Sequence, residues 1–253
     1  MARFTLLTLN INGGFDLSRR RFVLPALRDA VRGVGADIVL LQEVLGQHDS
    51  HARRHGDWPS LAQQEYLAQA LWPHNAYARN AVFAEGHQGN ALLSRFPIAH
   101  WANHEVSVAG HEPRGLMHVA IDLPGTTAPL HLVNVHFGLH ESHRRFQAAR
   151  LCRLVEDTIP ASAPLVVGGD FNDWRGRAHG LLLACGLQEA FEGEHGRLAR
   201  TFPSRAPMLP LDRIYVRNLQ VHCARILSGR PWSKLSDHAG LLAQLNASLP
   251  NAT

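Results

Sequence analysis

Nine short apolar runs rich in β-forming residues punctuate the chain, at 4–9, 37–41, 91–93, 116–121, 130–135, 164–167, 212–216, 219–227 and 239–245. Runs of this length suit strands, and nowhere do 18 apolar residues run together, so no transmembrane segment is expected. Helical patterns lie between some of them. Leu24, Leu27, Val31 and Val34 share one helix face, with Pro25 suited to a first turn. Ser60 and Gln63 form a capping-box pattern ahead of Leu67, Ala68 and Leu71, and Ala148, Leu151, Cys152 and Val155 make a third stripe. The alternation predicts an α/β (α+β) architecture.

Of the 253 residues 45% are hydrophobic and 18% charged, which excludes a disordered or fibrous chain. No linker or low-complexity tract divides the sequence, so residues 1–253 are expected to form a single domain and a monomer. The irregular stretches are 46–58, 83–90 and 186–210. Cys152, Cys185 and Cys223 form no CxxC or Cys/His spacing, a pattern that fits a reducing compartment better than a disulfide framework. With no secretory pattern after Met1, a cytoplasmic protein is expected. For the same reason the glycosylation tripeptides at 246–248 and 251–253 carry little weight. The net charge of +4 suits a polyanionic partner, but Lys234 is the one lysine among 25 basic residues, and a bias toward arginine explains the balance equally well. Gly33-Val34-Gly35 lacks a third glycine, His140 and His143 are one residue short of HExxH spacing, and GxSxG and P-loop motifs are absent.

Acids, amides and imidazoles stand at the ends of the apolar runs. Asn10 and Asn12 close the first and Glu43 follows the second. His136 ends 130–135, Asp170 and Asn172 follow 164–167, Asp212 opens the run at 212–216, and Asp237-His238 precedes the last. Singly, each has an ordinary explanation as a turn or cap. Jointly they form the kind of set that gathers where strand ends converge on a ligand.

The stretches TLNINGGF, DIVLLQEV, GNALLSRFPI, LVNVHFG, VVGGDFNDW, LDRIYV and LSDHAGLL resemble, in order, the motifs of the endonuclease/exonuclease/phosphatase (DNase I-like) superfamily. The resemblance covers residues 5–245. It implies a four-layer αββα sandwich of two mixed sheets flanked by helices, and hydrolysis of phosphoester bonds with Mg²⁺ or Mn²⁺. Carried over position by position, it implies that Glu43, Asn10 and Asp237 hold the metal, as hard oxygen donors would. Asp170 would orient or deprotonate water, Asn172 would donate to a phosphoryl oxygen, and Asp212 would orient His238. His136 would stabilise charge or protonate the leaving oxygen.

Val44 stands where abasic-site nucleases of this superfamily usually carry lysine, and His136 where they carry tyrosine. The likeness is instead to the broad branch with DNase I, tyrosyl-DNA phosphodiesterases, deadenylases and sphingomyelinases. A nucleic-acid phosphodiesterase is the leading expectation, with Asn12, Asn90, Trp174 and Arg175 as candidate substrate contacts. A phospholipid phosphodiesterase or phosphatase is the alternative, with 207–210 as its short apolar loop, and a silent nucleic-acid-binding regulator is a third. His48, His51 and His55 make a possible zinc loop without a matched fourth ligand. Arg144 and Gln147 read as a solvated helix face.

Overall fold

The computed structural model describes residues 2–247, so the tripeptide at 251–253 and the end of that at 246–248 lie outside it. Strands β1 (Ala2–Asn10) and β2 (Ile38–His48) run parallel and form the centre of the first sheet. That sheet is completed by β3 (His74–Phe83), β4 (Gly86–Ser94), β11 (Leu219–Leu227) and β12 (Gly240–Ala247), in the order β11-β12-β1-β2-β4-β3. The second sheet repeats the plan around the parallel pair β7 (Leu130–His136) and β8 (Leu165–Asp170). Its other members are β5 (Ile98–Glu105), β6 (Gly115–Ile121), β9 (Gln188–Glu189) and β10 (Asp212–Arg217), in the order β5-β6-β7-β8-β10-β9.

The central strands of each sheet are buried on both faces, which is why they read as near-continuous hydrophobic runs. Phe4, Leu6, Leu40, Leu92, Val119, Leu132, Val166 and Leu241 fill the space between the sheets. Helices α1 (Leu24–Val34) and α3 (Gln63–Ala68) cover the outer face of the first sheet over Leu7, Leu9, Val39 and Leu41. Helices α4 (Glu141–Thr158) and α5 (Arg177–Ala184) cover the second over Val133, Val135, Leu165 and Val167. Short helices α2 (Asp49–Arg54) and α6 (Ala190–His195) complete the set. The result is the expected four-layer αββα sandwich.

Four local expectations change. The second apolar run does not stop before Glu43. It continues to His48 through a bulge, where Leu41 pairs with Ala91 and Val44 with Gly89. Ser60 does not cap α3; Gln63 instead donates to Gly13 O (2.8 Å) and accepts from Leu45 N–H (2.9 Å), tying the loop after β1 to β2. Arg144 and Gln147 are not solvated: both are 1% exposed. Gln147 accepts from Gly138 N–H (2.8 Å), and Arg144 donates to Leu139 O and lies 3.8 Å from Asp173, so together they hold the loop after His136. Finally, Cys152 on α4 and Cys185 just beyond α5 are disulfide-bonded, with Cα atoms 5.9 Å apart. The packing of two helices joins cysteines 33 residues apart, so the sparse spacing was no guide to free thiols; Cys223 alone is free.

Candidate active site

Both parallel pairs end at the same end of the sandwich, and their carboxyl ends deliver the site. β1 delivers Asn10, β2 Glu43, β7 His136 and β8 Asp170. Antiparallel β10 starts beside Asp170, so Asp212 is its cross-strand partner, and the turn before β12 brings in Asp237 and His238. Two backbone features aim these groups. The β2 bulge places Glu43 at φ 55°, turning its side chain out of the strand's alternation. Gly169 at φ 142° lies so close to Val135 that a Cβ there would strike its carbonyl, so β8 can carry Asp170 against His136 only with glycine at this position.

Asp170 is the hub. Its Oδ2 lies 3.6 Å from His136 Nε2 and 3.7 Å from His238 Nε2 and accepts from Asn10 Nδ2 (3.1 Å), while Oδ1 accepts from Asn172 N–H (2.9 Å). His238 Nδ1 pairs with Asp212 Oδ2 at 2.8 Å. Glu43 is partly exposed; it meets Asn10 Nδ2 at 3.0 Å, Arg19 at 2.8 Å and Gln88 Nε2 at 3.4 Å. Asp237 is half-buried, and its backbone carbonyl accepts from Ser204 N–H (2.7 Å).

Burial and charge drive these groups apart in proton affinity. Burial, reinforced by Asp212, pushes the Asp170 carboxyl up to about 7 against the pull of His238. Burial alone would depress His238, but the carboxylates Asp212 and Asp170 outweigh it and raise the imidazole to about 10. His136 is held well below its ordinary value by burial and by Arg114 and His238. Burial and the neighbouring Glu43 raise Asp237. At neutral pH the site therefore holds one charged and one neutral imidazole on either side of a carboxyl poised to titrate.

Among the described residues, the one group of three side chains whose ligand atoms converge is Asp170, Asp212 and His238. Its imidazole is protonated and committed to Asp212, which suits an ion pair rather than a metal. The donor set Glu43 and Asp237, partly exposed carboxylates near enough for Glu43 to raise Asp237, fits a hard divalent cation. Asn10 turns its Nδ2 toward the carboxylates, and its Oδ1 accepts from Asn12 N–H (3.0 Å).

The four candidate substrate contacts fare differently. Asn12 is buried and committed to structure: Nδ2 donates to Asp16 O (3.0 Å), and Oδ1 accepts from Arg19 Nε (2.6 Å). Asn90 is buried between the sheets, donating to Asn134 O at 3.4 Å. Trp174 remains 42% exposed, but Arg144 lies over its ring at 4.4 Å. Arg175 faces Glu141 at 3.8 Å on the exposed rim.

Sequence reasoning missed several supporting residues. Arg19 and Arg114 add positive charge beside Glu43 and His136. Buried Arg213 pairs with Asp173 (3.1 Å), whose carboxylate also accepts from the first N–H groups of α5, so the D of FND and the R of LDR lock together behind Trp174. Asn134 accepts from Gln42 (2.7 Å) and donates to Leu41 O and Ala91 O, pinning the two sheets together beneath the site. A polar residue within an all-apolar strand run was the available signal.

Residues 7–238 match the Endonuclease/Exonuclease/phosphatase family, and the chain belongs to it. It is 50% identical over 244 residues, 96% of both chains, to the Escherichia coli K12 protein named uncharacterized protein YbhP. It is 28% identical to a putative neutral sphingomyelinase of Drosophila melanogaster over 193 residues, covering 68% of this chain and 40% of that one. Among solved structures it resembles the mannosyl-6-phosphatase Bt3783 of Bacteroides thetaiotaomicron (TM-score 0.71, 17% identity, 96% and 99% of the two chains). It also resembles D. rerio TDP2 complexed with a single-strand DNA product (TM-score 0.69, 15% identity, 97% and 100%). At these identities the structural likeness is one of fold.

Proposed function

We infer that the protein is a divalent-metal-dependent phosphodiesterase acting on nucleic acid, with single-stranded or frayed ends preferred. The observation that carries the chemistry is the pair of imidazoles in opposite protonation states flanking Asp170, beside the oxygen donors Glu43 and Asp237. Groups pushed apart in pKa by their surroundings mark the acid and base positions of a site. Glu43 and Asp237 would hold Mg²⁺ or Mn²⁺, with Asn10 contributing its oxygen if the amide turns over. The bound ion would supply neutralisation of phosphate charge.

The remaining steps fall to the chain. Asp170, poised near neutrality, accepts the proton of the attacking water as the new P–O bond forms and the P–O bond to the leaving group breaks. His238, fixed by Asp212, presents a cation to the phosphoryl oxygens. His136, neutral, donates a hydrogen bond, and the second N–H of Asn172, whose first is given to Phe137 O (3.0 Å), does the same. This division suits a reaction governed by positioning and charge stabilisation. The nucleic-acid preference is supported by the exposed Trp174 and the arginines around the mouth, and by the likeness to a fold that holds a single-strand DNA product.

A second reading, hydrolysis of phospholipid, is favoured by exposed apolar residues on loops near the site. Leu139 follows His136 closely, and Met208 hydrogen-bonds through its backbone to Phe202, whose ring lies 5.0 Å from that of His238. The deciding assay supplies Mg²⁺ or Mn²⁺ with single-stranded and duplex DNA, RNA, 5′-tyrosyl DNA and phospholipid micelles. Oligonucleotide cleavage abolished by EDTA is the expected result; faster micelle hydrolysis overturns the substrate, and undiminished turnover in EDTA overturns the mechanism.

A further inference from the structure

Seven flat side chains gather near Glu43, five of them from the stretches 46–58 and 83–90 that the sequence presents as irregular and two, Phe15 and Phe22, from the loop after β1. Phe22 stacks on Trp58 with centroids 4.8 Å apart, and His51 stacks on the same indole at 5.5 Å. Phe15 faces His51 and His55 at 4.9 and 5.4 Å; His48 lies 3.9 Å from His51 and 5.4 Å from Phe83. A cavity of about 280 Å³ opens against this wall, bounded by Phe15, His48, His51 and Phe83 on its flat sides and by Arg19 and Gln88 at its polar edge. Those two polar residues are the ones that reach Glu43 Oε2, at 2.8 and 3.4 Å, so the cavity adjoins the expected metal position.

Three histidines here invite a zinc reading, and the geometry is against it. His48 Nδ1 is engaged by Ser50 Oγ and His51 N–H, the rings meet tilted, and the three histidines bring no convergent set of ligand atoms together among the described residues. Burial, with His48, His55 and Arg54 nearby, lowers the affinity of His51 for a proton, which leaves it a neutral flat ring. Its Nδ1 is buried with no hydrogen-bond partner among the described residues, so the ring meets the cavity as a flat surface rather than through this nitrogen.

We propose that this cavity seats the nucleobase adjoining the scissile phosphate. Flat walls select a flat ring of any base, and the Gln88 amide offers hydrogen bonds at its edge. The volume sits at the lower end for ligand pockets, enough for one base. The lining includes Arg19, whose positive charge repels a cationic headgroup and suits the phosphate next to a base. The proposal rests on the nucleic-acid reading above and gives it a specific subsite.

The test is an abasic scan. A short single-stranded oligonucleotide and its singly abasic versions are titrated by anisotropy in EDTA, then cleaved with Mn²⁺, by the intact protein and by His51→Ala, Phe83→Ala and His51→Phe. The intact protein should lose about 10-fold in affinity at one abasic position, in line with the stacking of a single base. His51→Ala and Phe83→Ala should bind the complete strand about 10-fold more weakly, ignore that abasic position and keep kcat, while His51→Phe restores the discrimination through its ring. Two wall variants on separate elements guard against misfolding of either. If the protein cleaves oligonucleotides but both alanine variants still discriminate as the intact protein does, the subsite is overturned and the phosphodiesterase reading survives. If the intact protein neither binds nor cleaves any oligonucleotide yet hydrolyses phospholipid micelles, the nucleic-acid reading falls and takes the subsite with it.

Discussion

The two sheets repeat one plan, a parallel pair flanked by an antiparallel partner, yet their site-facing ends differ in kind. The first sheet offers Glu43 on a bulge, partly exposed and held by the solvent-exposed Arg19. The second offers His136, Asp170, Asn172 and Asp212, none more than 6% exposed, in a buried network that displaces the proton affinities of His136 and Asp170 and pairs Asp212 with His238. A hydrated carboxylate can exchange water for a cation at little desolvation cost. A proton-transfer group needs the opposite, a dry setting that shifts its pKa. The exposed carboxylate thus suits ion binding, and the buried network, which His238 joins from the turn before β12, suits proton chemistry.

The largest effects should separate these ends. Glu43→Gln keeps shape and removes charge, so activity should fall about 10³-fold or more, and raised Mn²⁺ should recover part of it because the defect is in metal affinity. Asp170→Asn should lose as much with no recovery at any Mn²⁺ concentration. Equal rescue of both, read from metal titrations of kcat, would erase the distinction. Next come the imidazoles: His136→Ala and His238→Ala should each cost about 10²–10⁴-fold in kcat. Asp212→Asn should follow His238→Ala in part, since it removes the 2.8 Å partner that orients and charges the ring. Wild-type activity in Asp212→Asn would refute the pairing.

The strand ends were legible because burial on both faces writes continuous apolar runs, and a carboxylate or amide that ends such a run stands out. The run at 130–135 falls within β7, which is buried at every position. β3 and β5 were missed because they are edge strands that alternate polar with apolar residues and carry no long apolar run to mark them. Glu43, His136, Asp170, Asp212, Asp237 and His238 were legible through motif order, but the displaced proton affinities of His136, Asp170, Asp237 and His238 depend on contacts between distant segments, some 160 or more residues apart, which spacing does not encode. The same holds for Arg144: its helical position is polar in pattern, and only the return of Asp173 and Trp174 from β8 buries it.

A stability difference between the sheets should accompany the catalytic one. The outer face of the second sheet carries His118 and His131, with a ring nitrogen of each 2.9 Å apart, beside His104 and His100. Burial, followed by the neighbouring imidazoles His131, His104 and His100, lowers His118 to about 4. The unfolded chain takes up this proton near pH 6.5, so between pH 6.5 and 4 it binds more protons than the folded state. Stability is therefore full above pH 6.5 and declines as pH falls toward 4, by on the order of 1–2 kcal/mol for this group after allowance for solvent screening. Urea unfolding midpoints at pH 7.5 and 5 check it. His118→Gln, neutral throughout, should flatten the slope, and an unchanged slope would remove this face as its source.

The smallest expected effect lies on the rim of the second sheet. Trp174 is exposed enough to stack a base, but Arg144 already occupies one face of its indole, and Arg144 is itself fixed by the loop after His136. Only the remaining face is free, so the gain belongs near the bottom of the range for base–aromatic stacking, about 1 kcal/mol. Trp174→Ala should raise KM for a single-stranded oligonucleotide about 5-fold and leave kcat within a factor of about two, because the ring contributes equally to substrate and transition state. The same variant should leave micelle hydrolysis unchanged, whereas loss there would place Trp174 at a lipid surface. Salt supplies the second axis. Arginine contacts to phosphates make oligonucleotide binding fall steeply between about 50 and 200 mM salt, and Trp174→Ala should lower affinity while keeping that slope, since the indole releases no counterions. A changed slope would mean that the loss acts through Arg175 or Arg144 rather than through stacking.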